Sequence, residues 1–145
     1  MSFNISPRAP YGSLLKEARP AKHNKRPARD ENPKHLAAVR QCQCISCART
    51  NQIEAAHVRM SAPGKPNPGV GMKPDDKYTL PLCDVCHRTG PNAQHEVGEI
   101  KFWGSLGIDP LVVCARLYAV SPDVEKMRAV IAAARSQTTS QGPRF

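Results

Sequence analysis

The sequence predicts a small α+β fold in which two short strands are followed by several helices. Two stretches, 53–58 and 78–82, have the length and apolar content of short strands. Further along, Asp109-Pro110 places a capping side chain directly before a proline, which is typical of a helix start. A chain of 145 residues allows one small domain with appendages rather than two large domains.

The composition limits the apolar core and predicts an unstructured N-terminal segment. Aromatic residues make up 5% of the chain, and 14 prolines and 9 glycines interrupt regular structure. Residues 1–34 carry eight Lys or Arg side chains against three acidic ones, together with five prolines. Such a segment buries too little apolar surface to offset its ordering entropy. We therefore expect a disordered basic arm over 1–34.

The folded part is expected to start with a short helix over 35–40 and the first strand, 53–58. A loop rich in Gly, Pro and Lys, 59–77, then leads to the second strand, 78–82. Pro81 has no backbone N–H to donate, so this strand is expected at an edge of the sheet or at a bulge.

The second half of the chain is predicted to be helical. A helical turn is expected from Asp84 to Gly90, and Asn92 is expected to cap the helix that follows. The pair Ser121-Pro122 predicts a last helix over 123–135 with a frayed tail. The predicted organisation is a basic arm, a central domain and a C-terminal helix with its tail: 1–34, 35–120 and 121–145.

Two Cys-x-x-Cys pairs, Cys44 with Cys47 and Cys83 with Cys86, predict a metal site. The N-terminal residues lack the apolar stretch of a signal peptide, and no run is long enough to span a membrane, so we expect a cytoplasmic protein with reduced thiols. Each pair can supply half of a tetrahedral shell, and four cysteines favour structural Zn²⁺.

The remaining cysteines and a competing motif have simpler interpretations. Cys42 is a rival ligand with poorer spacing, and Cys114 lies in an apolar helical pattern that predicts core packing. The run from Cys83 to His87 also matches the attachment motif of c-type haem. That modification belongs to exported chains and would leave the other cysteine pair unexplained, so no haem is expected.

Three histidines fall within or just after the cysteine frame. His57 lies near the end of the first predicted strand, His87 follows the last predicted zinc ligand, and His95 lies further on. A zinc ion that ties the strand to the helical turn would bring His57 and His87 to neighbouring surfaces. Two imidazoles suit phosphodiester hydrolysis, in which one takes a proton from water and another holds a divalent cation.

These residues resemble the HNH, or His-Me-finger, endonucleases, and most closely their zinc-bearing branch. The similarity extends over about residues 40–120 and includes the small phage and prophage nucleases, among them the RecA-dependent HNH nuclease group. The motifs that carry it are Cys44-x-x-Cys47, Ala56-His57-Val58-Arg59, Gly71-Met72-Lys73-Pro74-Asp75-Asp76, Pro81-Leu82-Cys83-x-x-Cys86-His87, His95-x-x-Gly98-Glu99-x-x-Phe102-Trp103 and Gly107-Ile108-Asp109-Pro110.

The resemblance implies a ββα-metal fold with zinc at its base and a metal-dependent DNA endonuclease activity. It implies that His57 is the general base and that His87 is a ligand of a catalytic Mg²⁺ or Mn²⁺. The family often has Asp or His just before the base, where this chain has Ala56. Asp76 or His95 is therefore the expected second ligand, while Glu54 is a weaker candidate because strand alternation places it on the face of Ala56.

A formal net charge of +9 favours a polyanionic partner, which the resemblance identifies as DNA. Four basic side chains of the loop between the strands are the expected DNA contacts: Arg59, Lys65, Lys73 and Lys77. A role in phage DNA recombination, a recombinase filament as partner and a bacterial host cytoplasm follow from the resemblance alone. The alternative function is a non-catalytic zinc-knuckle module that binds nucleic acid.

Overall fold

The computed structural model describes residues 28–65 and 68–139. Five α-helices and two strands are present in this part, with a wide helical turn, Val85–Thr89, after the second strand. No helix in the described ranges combines the length and apolar character that a membrane span requires. In chain order the elements are α1 (Pro33–Val39), β1 (Ile53–His57), β2 (Thr79–Cys83), α2 (Gln94–Val97), α3 (Glu99–Leu106), α4 (Pro110–Val120) and α5 (Val124–Thr139).

The two strands form an antiparallel pair in which Ile53 lies opposite Cys83 and His57 lies opposite Thr79. Both strands agree with the predicted stretches to within one residue at each end. Pro81 pairs with Ala55, and its carbonyl accepts a hydrogen bond from the Ile45 backbone N–H at 3.0 Å. The edge position predicted for this proline is confirmed, because a sheet of two strands consists of edges only.

The predicted α+β class is confirmed, and several details of the helices differ from expectation. The cap predicted at Asn92 is wrong, because α2 starts at Gln94 with Ala93 as its N-cap and no side-chain cap bond. The helix predicted after Asn92 is divided into α2 and α3 because Gly98 has φ of 85°, a backbone conformation outside the helical region. Helix α5 continues to Thr139 instead of fraying after residue 135. The hydroxyls of Ser136 and Thr138 donate to carbonyls three residues earlier, at 2.9 and 2.5 Å, and so satisfy groups within the helix.

The core lies between β2 and the helices, and every residue of β2 is buried. Trp103 and Cys114 belong to this core, as the sequence predicts. Its largest fully buried apolar side chains are Val39, Ile45, Val58, Leu80, Leu82, Trp103, Leu117, Met127 and Ile131.

A buried histidine joins helix α1 to this core. His35 Nδ1 lies 2.7 Å from the Ser121 hydroxyl, and its Nε2 lies 3.1 Å from the Thr79 hydroxyl. Because the Thr79 hydroxyl donates to the Asp76 carbonyl at 2.8 Å, the ring must donate from Nε2 and accept at Nδ1. Burial lowers the pKa of His35 below its ordinary value of 6.5, so the ring is neutral at pH 7.

The described chain begins with residues 28–32, here called the N-terminal strap, which pack against the end of the loop between the strands. The Asp30 backbone N–H donates to Asp75 Oδ1 at 3.0 Å, and the Asp76 backbone N–H donates to the Asp30 carbonyl at 3.0 Å. The side chain of Asn32 caps α1 by accepting from the His35 N–H. Disorder is predicted over 1–34, but residues 28–34 belong to the folded part. The rest of the predicted arm, 1–27, lies outside the described residues.

Candidate functional site

The four predicted zinc ligands lie together at one end of the strand pair. The sulfur atoms of Cys44, Cys47, Cys83 and Cys86 all lie within 4.8 Å of one another. The Cys47 and Cys83 sulfurs are 3.6 Å apart, close to the ~3.8 Å that a tetrahedral zinc site with 2.3 Å bonds requires. The cluster is able to hold a metal ion such as zinc. Cys42 is excluded from it, because its thiol is buried and faces the Ala38 carbonyl at 3.5 Å.

Local backbone geometry explains how each pair reaches the cluster. The first pair lies in a turn closed by the Cys44 N–H, which donates to the Arg49 carbonyl at 2.8 Å. The second pair starts at the last residue of β2 and ends in the wide helical turn, where the Cys86 N–H faces the Cys83 sulfur at 3.5 Å. Burial raises the pKa of the Cys44 and Cys86 thiols, so a bound cation is what would favour their thiolate forms.

Helix α5 braces the turn that carries the first pair. The Arg128 guanidinium donates to the Gln41 carbonyl from both Nε and Nη2, at 3.0 and 2.8 Å. Two turns further on, Arg135 donates to the Ile45 carbonyl at 3.0 Å. These bonds satisfy carbonyl groups around the first cysteine pair, and they hold its turn against the C-terminal helix.

His57 is paired with a carboxylate that is removed from solvent. Its Nε2 lies 3.0 Å from Asp76 Oδ1, and the Asp76 side chain is 1% exposed, against 17% for His57. The strap supplies two more donors to the same carboxylate. Arg29 Nη2 reaches Oδ1 at 2.9 Å, and the Asn32 backbone N–H reaches Oδ2 at 2.8 Å.

These three donors fix the charge of Asp76 and the tautomer of His57. Burial by itself raises the pKa of Asp76, but the His57 hydrogen bond, the Asn32 N–H and the Arg29 charge together hold that pKa below its ordinary value of 3.8. An ionised carboxylate only accepts hydrogen bonds, so the neutral His57 ring must carry its proton on Nε2. Its Nδ1 is left as the basic nitrogen, and no described residue hydrogen-bonds to that atom.

His87 is held by a different carboxylate, near the start of β1. Its Nδ1 is hydrogen-bonded to Glu54, whose other oxygen accepts from Arg88. Burial lowers the pKa of His87 below its ordinary value of 6.5, although the bond to Glu54 acts in the opposite direction. The neutral ring therefore donates from Nδ1 and presents its Nε2 lone pair. The ring of His95 packs edge-on against it, with 4.5 Å between the ring centroids.

The predicted ligands of a catalytic cation do not come together as one set. Within 28–65 and 68–139, the four cysteines are the group in which three or more ligand atoms lie within 4.8 Å. His87 and His95 are neighbours, but Asp76 is committed to His57 and the strap. Because Glu54 and His57 are three residues apart on one strand, their Cα atoms lie about 10 Å apart and their side chains leave opposite faces. His87, which is bonded to Glu54, is therefore not brought to the surface of His57 as predicted. Asp76 is therefore a partner of His57 in this structure rather than a third ligand beside His87.

Ala56 shows why the acid that the family often carries before the base is unsuited to this chain. Its side chain is 1% exposed and belongs to the apolar core, while the flanking Ala55 and His57 are half-buried. A carboxylate at this position would point into the core and not toward His57.

The predicted DNA contacts differ in accessibility. Arg59 and Lys73 are exposed, and Lys77 lies half-buried with its ammonium 5.2 Å from the centroid of the Tyr78 ring. Lys65 is 5% exposed, and its Nζ donates to the Met60 carbonyl at 2.5 Å, so it stabilises the loop and is a poor surface contact.

Several residues of the site were not predicted from the sequence. Arg29 and Asn32 fall within the segment expected to be disordered, although the Asn32-Pro33 pair is a helix-start signal that marks where order begins. Glu99 anchors the loop by accepting from the backbone N–H groups of Arg59 and Met60, at 2.8 to 3.0 Å. A carboxylate that accepts from the backbone of a loop far away in the sequence leaves no local sequence pattern.

Comparisons with known proteins add no relative: no family model, no curated protein and no solved structure matches the chain.

Proposed function

We propose that the protein is a metal-dependent DNA endonuclease of the HNH type that hydrolyses phosphodiester bonds. The observation that supports this most strongly is the pair formed by His57 and Asp76, in which a buried carboxylate holds Nε2–H and leaves Nδ1 as a base. A neutral imidazole with one oriented lone pair is the group that general-base activation of water requires.

The chain's own residues support a hydrolytic step at the edge of the strand pair. In this proposal His57 Nδ1 accepts a proton from a water molecule. The water oxygen bonds to phosphorus as the bond between phosphorus and the 3′ oxygen breaks. Asp76 stabilises the imidazolium that results, because its charge lies at Nε2. The departing 3′ oxygen takes a proton from solvent water and becomes a hydroxyl, and protonated His57 returns its proton to solvent, so the ring is regenerated as a base.

His87 fits the role of a ligand for a catalytic Mg²⁺ or Mn²⁺. Metal-binding histidines commonly donate their second ring N–H to a carboxylate, as His87 does to Glu54. The His87 Nε2 and the His95 imidazole would hold the cation. Such an ion, when bound, supplies positive charge for the phosphate and the leaving oxygen. Glu54 acts behind His87 in this arrangement and not as a ligand.

A basic groove runs beside the Asp75 end of the loop and is the proposed path of a DNA strand. It encloses about 620 Å³, and Arg29, Lys73 and Lys77 line it together with Asp30 and Asp75. Contacts of Lys73 and Lys77 with phosphates would give salt-dependent affinity without sequence readout, while the Arg29 guanidinium is bonded to Asp76. Zn²⁺ on the four cysteines is proposed to be structural, since four protein ligands leave no open position for a substrate.

The test is nicking of supercoiled plasmid in Mg²⁺ or Mn²⁺ by the zinc-loaded full chain and by His57→Ala. Asn51→Ala, which changes an exposed residue just before the same strand, is the matched control. We expect wild type and Asn51→Ala to nick DNA, and His57→Ala to lose at least about 100-fold in rate with DNA binding retained. Equal nicking by His57→Ala with one zinc bound would contradict the assigned base.

Binding without cleavage by the wild type would favour the non-catalytic module. In that case we expect affinity for DNA to fall steeply as salt rises, and to be unaffected by His57→Ala. A recombinase filament should be added to the cleavage assay before that conclusion is drawn, because the resemblance to the RecA-dependent group names such a partner.

A further inference from the structure

We propose that Arg29 is a positioning residue for His57 and acts on it through the Asp76 carboxylate. The proposal assigns a role in the active site to the N-terminal strap, which lies outside the HNH-like region of the sequence. It deepens the proposed function and rests on it, since the orientation of His57 matters for the reaction only if His57 is the base.

The geometry of Asp76 carries the inference. A single oxygen, Oδ1, receives both the His57 Nε2–H at 3.0 Å and Arg29 Nη2 at 2.9 Å. The other oxygen receives the Asn32 N–H at 2.8 Å, and the side chain is 1% exposed. Water therefore cannot replace a missing donor freely. The plane of the carboxylate is set by the strap, and that plane sets the direction of the His57 ring.

The strap itself is anchored independently of the Arg29 side chain. Two hydrogen bonds hold the Asp30 backbone: its N–H donates to Asp75 Oδ1, and its carbonyl accepts from the Asp76 N–H. The amide group of Asn32 donates to the Tyr118 hydroxyl at 3.2 Å and so ties the strap to helix α4. Replacement of Arg29 should therefore remove its guanidinium from Asp76 while the strap stays in place.

The charged groups around Asp76 determine how the loss of Arg29 would affect the protonated form of His57. Arg29 is the cation that faces it, His57 is its hydrogen-bond partner, His35 lies within its electrostatic reach, and Glu31 lies 3.4 Å from the Arg29 guanidinium. Without Arg29 the Asp76 charge is less compensated, and the protonated His57 ring is favoured more strongly. Loss of the Arg29 hydrogen bond should also leave the carboxylate, and the ring bonded to it, less firmly oriented.

The experiment compares the zinc-loaded full chain with Arg29→Gln and Arg29→Lys. Arg116→Gln is the matched control, because it removes the same charge from an exposed position on α4. For Arg29→Gln we expect kcat for plasmid nicking to fall about 10-fold with KM changed less than about 2-fold, and the acid side of the pH profile to move to higher pH. Arg29→Lys should recover part of the rate, and Arg116→Gln should match wild type.

A second readout does not depend on cleavage. The ring nitrogen signals of ¹⁵N-labelled histidine, assigned with His57→Ala, report the tautomer and the protonation of His57. Wild type should show Nε2–H at neutral pH, while Arg29→Gln should show a mixture of tautomers and earlier protonation. If wild type fails to cleave DNA, the proposed function fails, but these signals still decide the role of Arg29.

Two outcomes would overturn the proposal. Unchanged His57 signals in Arg29→Gln would show that Arg29 does not orient the Asp76 carboxylate or the His57 ring. A raised KM with unchanged kcat would make Arg29 a DNA contact of the basic groove. If Arg29→Gln loses zinc or helical structure, the Arg29→Lys variant tests the proposal instead. Lys keeps a positively charged donor, so we expect His57 ring signals like those of the wild type. Signals of a His57 ring that is no longer bonded to Asp76 would contradict the role proposed for Arg29.

Discussion

The side chain of Asp76 determines which nitrogen of His57 can act as a base. Both carboxylate oxygens accept hydrogen bonds, and the one bonded to His57 also receives Arg29. The amide in Asp76→Asn can present either an oxygen or an N–H to the ring, and it carries no charge. We expect this variant to lose about 100-fold or more in nicking rate and to populate the Nδ1–H tautomer of His57, measured by ¹⁵N NMR. Wild-type activity in Asp76→Asn would contradict the assigned role of the carboxylate.

The same carboxylate makes a pH-dependent contribution to stability. Because its folded-state pKa lies below 3.8, ionised Asp76 stabilises the fold at pH values above 3.8, and this contribution is lost as the pH falls toward the folded-state pKa. The free energy of unfolding should be about 1–3 kcal/mol lower for Asp76→Asn than for wild type at pH 7. The difference should shrink as the pH falls below 3.8, which chemical denaturation at several pH values would measure. A stability difference between the two proteins that grows as the pH falls would contradict a stabilising role of ionised Asp76.

At position 56 an added acidic side chain is predicted to destabilise the fold. Ala56→Asp would place a carboxylate in the apolar core, so we expect the free energy of unfolding to fall by about 2–5 kcal/mol without any gain in metal binding or nicking. Ala55→Asp, at the half-buried neighbouring position, is the control and should cost less. Chemical denaturation and zinc titration of both variants provide the measurement. A stable Ala56→Asp protein with increased nicking would show that this position reaches the site.

At the level of single elements, the wide helical turn Val85–Thr89 is the most constrained, because it carries Cys86 and His87. Its end is closed by the Gly90 N–H, which donates to the Val85 carbonyl at 2.9 Å. A Cβ atom at Gly90 would lie 2.7 Å from that same carbonyl oxygen and 2.9 Å from Val85 Cγ1. Backbone would have to move, since neither contact involves the far end of a flexible side chain.

Two glycine substitutions test this element. Gly90→Ala should lower the free energy of unfolding by about 1–3 kcal/mol and weaken zinc binding, because the turn must open. Gly104→Ala is the matched control: its Cβ meets nothing within 4 Å in helix α3, so it should stabilise by about 0.5–1 kcal/mol. Thermal unfolding and competition with a zinc chelator would report both effects. Equal stability of the two variants would show that the turn tolerates the displacement.

For the molecule as a whole, the metal site is expected to hold together segments that the thin apolar core leaves weakly connected. The cysteine cluster links a turn before β1 to the end of β2, and structural zinc can contribute about 10–16 kcal/mol of apparent binding free energy. We expect a strong chelator to abolish cooperative thermal unfolding and much of the helical circular dichroism. Cys47→Ser should act in the same way.

Cys42→Ala is the control for that experiment, since Cys42 is buried but lies outside the cluster. It should retain one zinc ion per chain and lose only a modest part of its stability. A chelated protein that keeps its unfolding transition would show that the apolar core alone maintains the fold.

What the sequence could predict divides along physical lines. The cysteine pairs, the two strands and the cap at Asp109 follow from local patterns, so their predicted places are nearly correct. Asp76 is hydrogen-bonded to His57, 19 positions away, and to Arg29, 47 positions away. No local sequence pattern encodes these contacts. The division of α2 from α3 depends on the one backbone conformation at Gly98. The last turn of α5 was not predicted because residues 136–139 are all polar and continue no apolar spacing.

The brace from helix α5 has a consequence for the order of events during synthesis. The last cysteine of the cluster, Cys86, is translated about 50 residues before Arg135, which bonds to the Ile45 carbonyl. At ~5–20 residues per second this interval lasts roughly 3–10 s. During that interval the turn that carries the first cysteine pair lacks the hydrogen bonds that Arg128 and Arg135 donate. We therefore expect a metal ion bound by the four cysteines to exchange more readily before the C-terminal helix is complete than after it.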